Sequence, residues 1–196
     1  MITHTPTLAL QLANFFTSGG TIDVSQSLGD MTAQYDRNGL VIRIDANTVQ
    51  TMMVGTNTYP NADDLMLSIV SHEAAHYILD MAGTHIFDVT GSEAAYQAHQ
   101  AQHEALAIAN SMIAANEYAL ATGEVPTLMG YGSESVLRPH LNAFLTTGDF
   151  DTLINSLSGL VLDFPWNGTD VNGDGVVNQR DKFSQEFRNW KAENGL

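Results

Sequence analysis

The chain has 196 residues, 44% of them hydrophobic, enough for one compact domain with a real core. Seven Lys and Arg stand against 22 Asp and Glu, and the formal charge of -15 repels phosphate backbones and anionic membrane surfaces, which argues against a nucleic-acid partner. With no cysteine there is neither a disulfide framework nor a thiolate metal site, so any metal must be held by histidine and carboxylate.

The first residues, "MITHTPTLALQLANFF", lack a basic leader and read as an amphipathic helix over 6–17, with Thr5 at its cap and "SGG" ending it. No stretch reaches the roughly 20 apolar residues of a membrane span, so insertion into a membrane is not expected. Next come "TIDVS" and "GLVIRIDA", where β-branched residues and the alternation at Val41, Arg43 and Asp45 suggest strands; "QSLGDMTAQYDRN" between them is ambiguous. Acidic residues in a first turn and Gly83 at the end mark a helix over 62–82, followed by the loop "THIFDVTG". From Ser92 an alanine-rich run to Gly123 reads as one long helix capped by Ser92. The turn-rich "GEVPTLMGYGS" leads to shorter helices in "ESVLRPHLNAFLTTG" and "DFDTLINSLSGLVL", with Pro139 a candidate break. Composition changes after "DFPWNGT", which divides the chain into a body, 1–165, and a C-terminal segment, 166–196, packed on it.

Within the 62–82 helix stands "HEAAH", three polar residues in an otherwise apolar stretch. Four residues of helix turn through about 400°, so His72 and His76 project from one face, one turn apart, and two imidazoles can reach one tetrahedral ion. Zn²⁺ is the usual occupant of such a pair, with a third protein ligand and a fourth position open to water. Glu73, next round the helix, can reach that water as a general base without being a ligand.

His72, Glu73 and His76 together resemble the H-E-x-x-H motif of the zincin metallopeptidases. The resemblance implies an α+β fold, mostly helical, with a small N-terminal sheet, an active-site helix and a long ligand helix. It also implies a substrate-binding strand edge beside the active-site helix, a place that "GLVIRIDA" fits in order and distance. In the thermolysin-like branch the third ligand is a glutamate on a later helix. Glu104, 28 residues beyond His76 in "QHEALAIAN", is the first choice, and the surrounding helix is similar to that of bacterial effector-type peptidases. His103 and Glu93 come next, with His99 and Glu117 also open. His99 and His103 are themselves one turn apart and could form a second site. Tyr131 and His140 are candidates for the donor that meets the developing oxyanion, Tyr131 the first choice.

A second motif lies near the C-terminus. "DVNGDGVVNQRD" puts oxygen donors at Asp170, Asn172, Asp174, Asn178 and Asp181, with the Val176 carbonyl between them and Gly175 at the sixth position, the spacing of an EF-hand calcium loop. Aspartate at the last position and "FPWNGT" in place of an incoming helix make it resemble a single dockerin-type repeat. The helix after it places Phe183, Phe187 and Trp190 on one face, suited to packing on the body. A calcium loop favours an extracellular setting, and without a recognisable signal peptide this implies export by another route or excision from a longer chain.

Two classes of function are compatible with these motifs. One is a zinc metallopeptidase cutting protein or peptide, or a related amide such as peptidoglycan, stabilised by structural Ca²⁺. The other is a noncatalytic, calcium-stabilised binding or adhesion module whose metal, if any, is closed by four protein ligands. Oligomeric state leaves no mark in the sequence.

Overall fold

The computed structural model describes residues 2–25, 27–29, 31–54, 62–84, 91–128 and 130–195. The chain is α+β and mostly helical, with a small three-stranded sheet near its N-terminus. Helix α1 spans Pro6–Thr17; strands β1 (Thr21–Ser25), β2 (Ala33–Asp36) and β3 (Val41–Asp45) follow, then α2 (Ala46–Val54), α3 (Ala62–Met81), α4 (Glu93–Thr122), α5 (Glu134–Thr147), α6 (Phe150–Asp163) and α7 (Gln179–Glu193). No helix among the described residues is long and apolar enough to cross a membrane.

The sheet order is β1-β3-β2, with β1 parallel and β2 antiparallel to β3. "GLVIRIDA" therefore supplies the central strand, not an edge. The edge beside α3 is β2, from the ambiguous stretch, joined to β3 by a tight turn in which the Asp36 carboxylate accepts the N–H groups of Asn38 and Gly39 at 3.0 and 3.3 Å. Asp45 N–H donates to the Thr32 carbonyl at 2.9 Å, which makes 32/45, 34/43 and 36/41 the bonded pairs of the ladder. The main-chain N–H and C=O of Ala33 and Tyr35 then point outward, away from β3.

Helix α2 went unread in the sequence. Its start is the same Asp45 that ends β3: one carboxylate oxygen accepts the N–H groups of Asn47 and Thr48, both at 2.9 Å. Pro139 does not break α5. The carbonyl it leaves without a helical donor belongs to Ser135, and both residues are exposed, so water can satisfy it. The loop "THIFDVTG" lies largely outside the described residues.

Two apolar clusters form the core. The first joins Leu8, Leu12 and Phe15 of α1, Ile42 and Ile44 of β3, and Leu65, Ile69 and Tyr77 of α3. The second joins α4 through Ala101, Ala105, Ile108 and Met112 to Leu137 of α5, Leu157 of α6 and Phe183 and Phe187 of α7. Helix α4 is the shared wall. Its buried alanines are short enough for close approach by helices on both sides. Ser92 caps its start, accepting Ala95 N–H at 3.2 Å, and Gly123, at φ 78°, ends it in the left-handed conformation that favours glycine.

Candidate metal centre

Helix α3 is buried nearly all round, so each polar side chain on it must meet a partner. Two of its faces carry chemistry. His72 and His76 look toward α4, and Glu73, Tyr77 and Asp80, at positions i, i+4 and i+7, look toward the sheet. The two helices are pinned near the first face by Asn110, whose amide donates to the Ser71 carbonyl at 2.6 Å and exchanges hydrogen bonds of 2.8 and 3.1 Å with Gln11 of α1.

This pinning brings Glu104 over the histidines. The Nε2 atoms of His72 and His76 are 3.2 Å apart; His72 Nε2 lies 3.3 Å from one Glu104 oxygen and His76 Nε2 3.7 Å from the other. Among the described residues these three form the one group of three or more His, Asp and Glu side chains whose donor atoms all fall within 4.8 Å of one another. They could hold a metal ion. Burial acts against the Glu104 carboxylate, but the His76 and His72 imidazoles outweigh it and hold the group down at about 2. Burial likewise works against charge on His72, and the Glu104 contact reverses it, raising the imidazole.

Glu73 is 7% exposed and is not one of the three donors. Burial pushes its carboxyl up to about 7, with His72 pulling it down and Glu104 pushing it up; the main-chain N–H of Tyr35, on the outward side of β2, reaches it and pulls it down. A carboxyl poised near neutrality, beside three metal donors and against a strand edge, can accept and return a proton.

Tyr131 reaches the centre from the far side. It sits in a tight turn in which Gly132 N–H donates to the Gly130 carbonyl at 2.9 Å, and its hydroxyl is within hydrogen-bonding reach of Glu104. Burial, and then the Glu104 charge, raise the phenol well above its ordinary range. Gly130 has φ 156°, and a Cβ there would lie 3.2 Å from Ile108 of α4, one turn beyond Glu104. Arg138 and Glu134 hold the same segment, donating to the Pro126 carbonyl at 2.7 Å and accepting Leu128 N–H respectively.

The other candidate ligands are engaged elsewhere. Glu93 pairs with Arg188 of α7, both contacts at 3.1 Å. Glu117 caps α1, accepting Thr7 N–H at 3.0 Å and the Thr7 hydroxyl. His103 is buried with its ring centroid 4.3 Å from that of His99 and the two planes tilted by 43°, and no third donor joins them in a metal-sized group among the described residues. His140 is half-buried on α5.

No protein-family model matches the chain. Neither a curated protein nor a solved structure matches it at a significant level.

In the C-terminal loop the polar side chains fold inward on the backbone. Asp170 accepts Gly173 and Gly175 N–H at 2.6 and 2.9 Å, Asn172 accepts Asp174 N–H at 2.8 Å, and Asp174 accepts Val176 N–H at 2.8 Å. Asn178 and Asp181 form a capping box at the start of α7. Asp181, fully buried, also takes Val171 and Asn172 N–H at 2.8 and 3.1 Å, and the carboxylate oxygens of Asp170, Asp174 and Asp181 do not all lie within 4.8 Å of one another. Val176 is exposed, while the Val177 carbonyl accepts Trp166 N–H at 3.3 Å, so the loop pairs with the segment that leads into it.

What sequence reasoning missed is the role of "AQYD". Tyr35 carried no motif, and only its pairing beyond β3 puts its N–H on Glu73.

Proposed function

We propose that the protein is a zinc-dependent metallopeptidase of the zincin type, acting on peptide bonds in extended substrates. The supporting observation is how closely the donor groups gather. A tetrahedral ion with zinc-like bonds of about 2.0–2.1 Å needs donors about 3.3 Å apart; the two Nε2 atoms are 3.2 Å apart, His72 lies 3.3 Å from one Glu104 oxygen and His76 3.7 Å from the other. Two nitrogens and one carboxylate oxygen suit zinc, and a fourth position remains for water. Bound there, zinc supplies Lewis acidity and an acidified water. Glu73 takes the proton of the attacking water and passes it to the departing amine, so no covalent intermediate on the protein is needed. A substrate strand lying along β2 can pair with the outward main-chain groups of Ala33 and with the Tyr35 carbonyl, which brings its scissile carbonyl to the centre. Calcium held by the oxygen donors of the loop from Asp170 to Asp181 is part of the same proposal, with a structural role.

Glu73→Gln tests the proposal. The variant is expected to bind one zinc per chain, as wild type does, while hydrolysis of fluorescein-labelled casein falls by about a hundredfold or more. His76→Ala is expected to lose the zinc. Undiminished hydrolysis by a folded, zinc-loaded Glu73→Gln would sink the mechanism, and absence of zinc in reloaded wild type would sink the assignment of the metal.

A further inference from the structure

The β2 edge faces the centre through only four residues and one neighbouring strand. Its ladder with β3 fixes register but not its distance from α3. That distance matters, because Tyr35 N–H must meet Glu73 while the outward groups of Ala33 and the Tyr35 carbonyl stay level with His72, His76 and Glu104.

We propose that Asp80, one turn beyond His76 and on the Glu73 face of α3, is a positioning residue that clamps β2 to the metal helix. Its side chain is 10% exposed and its two oxygens take two different residues of the strand's end: Tyr35 Oη donates to one at 3.1 Å, and Arg37 Nε pairs with the other at 2.8 Å. Tyr35 is 8% exposed, and its ring meets those of Phe15 and Tyr77 edge-on at 6.4 and 6.1 Å, so the phenol held by Asp80 is rigid through to its backbone. One aromatic residue thus carries both ends of the device: its hydroxyl on Asp80 and its main-chain N–H on Glu73. The ion pair with the second residue, Arg37, lacks hydrogen-bond geometry and adds a modest attraction across the same junction. Asp80 touches neither the donors nor, in this arrangement, the substrate. Its effect passes through Tyr35.

The clamp rests on the peptidase reading for its consequence and on amide exchange for its existence. Asp80→Ala, Asp80→Asn and Arg37→Ala are compared with wild type for zinc content, for exchange of the amides of 33–36 and for steady-state cleavage of fluorescein-labelled casein. Asp80→Ala is expected to keep its zinc, to exchange the 33–36 amides about tenfold faster or more, and to raise KM about tenfold with kcat within about threefold of wild type. Asp80→Asn retains an acceptor for the Tyr35 hydroxyl and is expected to fall between wild type and Asp80→Ala. Arg37, whose side chain is 56% exposed, can be removed without disturbing the core and is expected to reproduce part of the exchange effect. Unaltered exchange at 33–36 in both Asp80 variants overturns the clamp, and so does faster exchange with KM unmoved in an active enzyme. If wild type cleaves no casein at all, the peptidase reading fails by itself while exchange at 33–36 still decides whether Asp80 holds the strand.

Discussion

Glu104 has to satisfy two imidazoles at once, and a lone carboxylate on a long side chain would not hold one rotamer without help. The Tyr131 hydroxyl is within reach of Glu104 and would orient it as a ligand in the proposed centre. The oxyanion donor that the sequence suggests for Tyr131 and this orienting role on Glu104 make different demands on it. Tyr131→Phe is accordingly expected to weaken metal affinity by about 10–100-fold in a chelator competition. Gly130→Ala should do the same while removing nothing from the centre, because the added Cβ presses on Ile108, 3.2 Å away, and φ 156° strains any residue but glycine. Unchanged metal affinity in both variants would leave Tyr131 free for a role on the substrate.

Some helices in this chain start on carboxylates that accept main-chain N–H groups. Asp45 accepts three, from Leu28 at 2.7 Å and from Asn47 and Thr48, and these hold its carboxyl below the ordinary aspartate range. Burial pushes Asp181 up, but the N–H groups of Asn178, Asn172 and Val171 overcome it and the net direction is also down. A depressed folded-state pKa means that the unfolded chain binds protons first. The stabilisation is complete above the unfolded aspartate value of about 3.9 and is lost as pH falls through the lower folded value. Asp45→Asn and Asp181→Asn should therefore be less stable than wild type in urea at neutral pH, with the gap closing as pH drops from about 5 to below about 3. A gap that stays constant across that range would show that the charge is not what these residues contribute. Cap chemistry of this kind explains which elements were legible. Ser92, Gly83 and Gly123 marked helix ends because their signals are local, and "HEAAH" marked the metal helix because i and i+4 share a face whatever the fold. Asp45 reads as a strand residue and is the last of β3, while the service of its side chain to the next helix leaves no mark in the alternation. The order of "GLVIRIDA" and "AQYD" in the sheet is not legible because strand order depends on pairing between distant segments, and four residues carry too little alternation to declare it.

At the scale of the molecule, the placement of Glu104 and that of the C-terminal segment both depend on α4. Spacing from His76 suggests Glu104 without separating it from its neighbours; the packing of α4 between two cores turns Glu104 toward α3, His103 toward a tilted contact with His99, and Glu93 toward α7. Helix α7 runs along the first turns of α4: Gln97 donates to Ser184 at 2.7 Å, the Tyr96 and Phe187 rings lie 5.5 Å apart, and Lys191 sits 4.9 Å from the Phe187 ring centre. Lys182 and Glu186, on the same helix, are close enough for their charges to act on Glu104. The segment after Asp163 therefore buries part of the helix that carries Glu104, unlike a repeat tethered beside a finished domain. Phe187 is 5% exposed, and Phe187→Ala should cost about 3–5 kcal/mol, which in a chain of this length lowers the thermal midpoint by roughly 6–20 °C. A chain ending at Pro165 should lose cooperative unfolding and bind zinc more weakly than the intact protein. Added calcium should raise the midpoint of the intact chain and leave that of the shortened one unmoved, because the loop that would bind it is gone. If the shortened chain instead melts and binds zinc as the whole does, α7 is a separable module and the metal centre is complete without it.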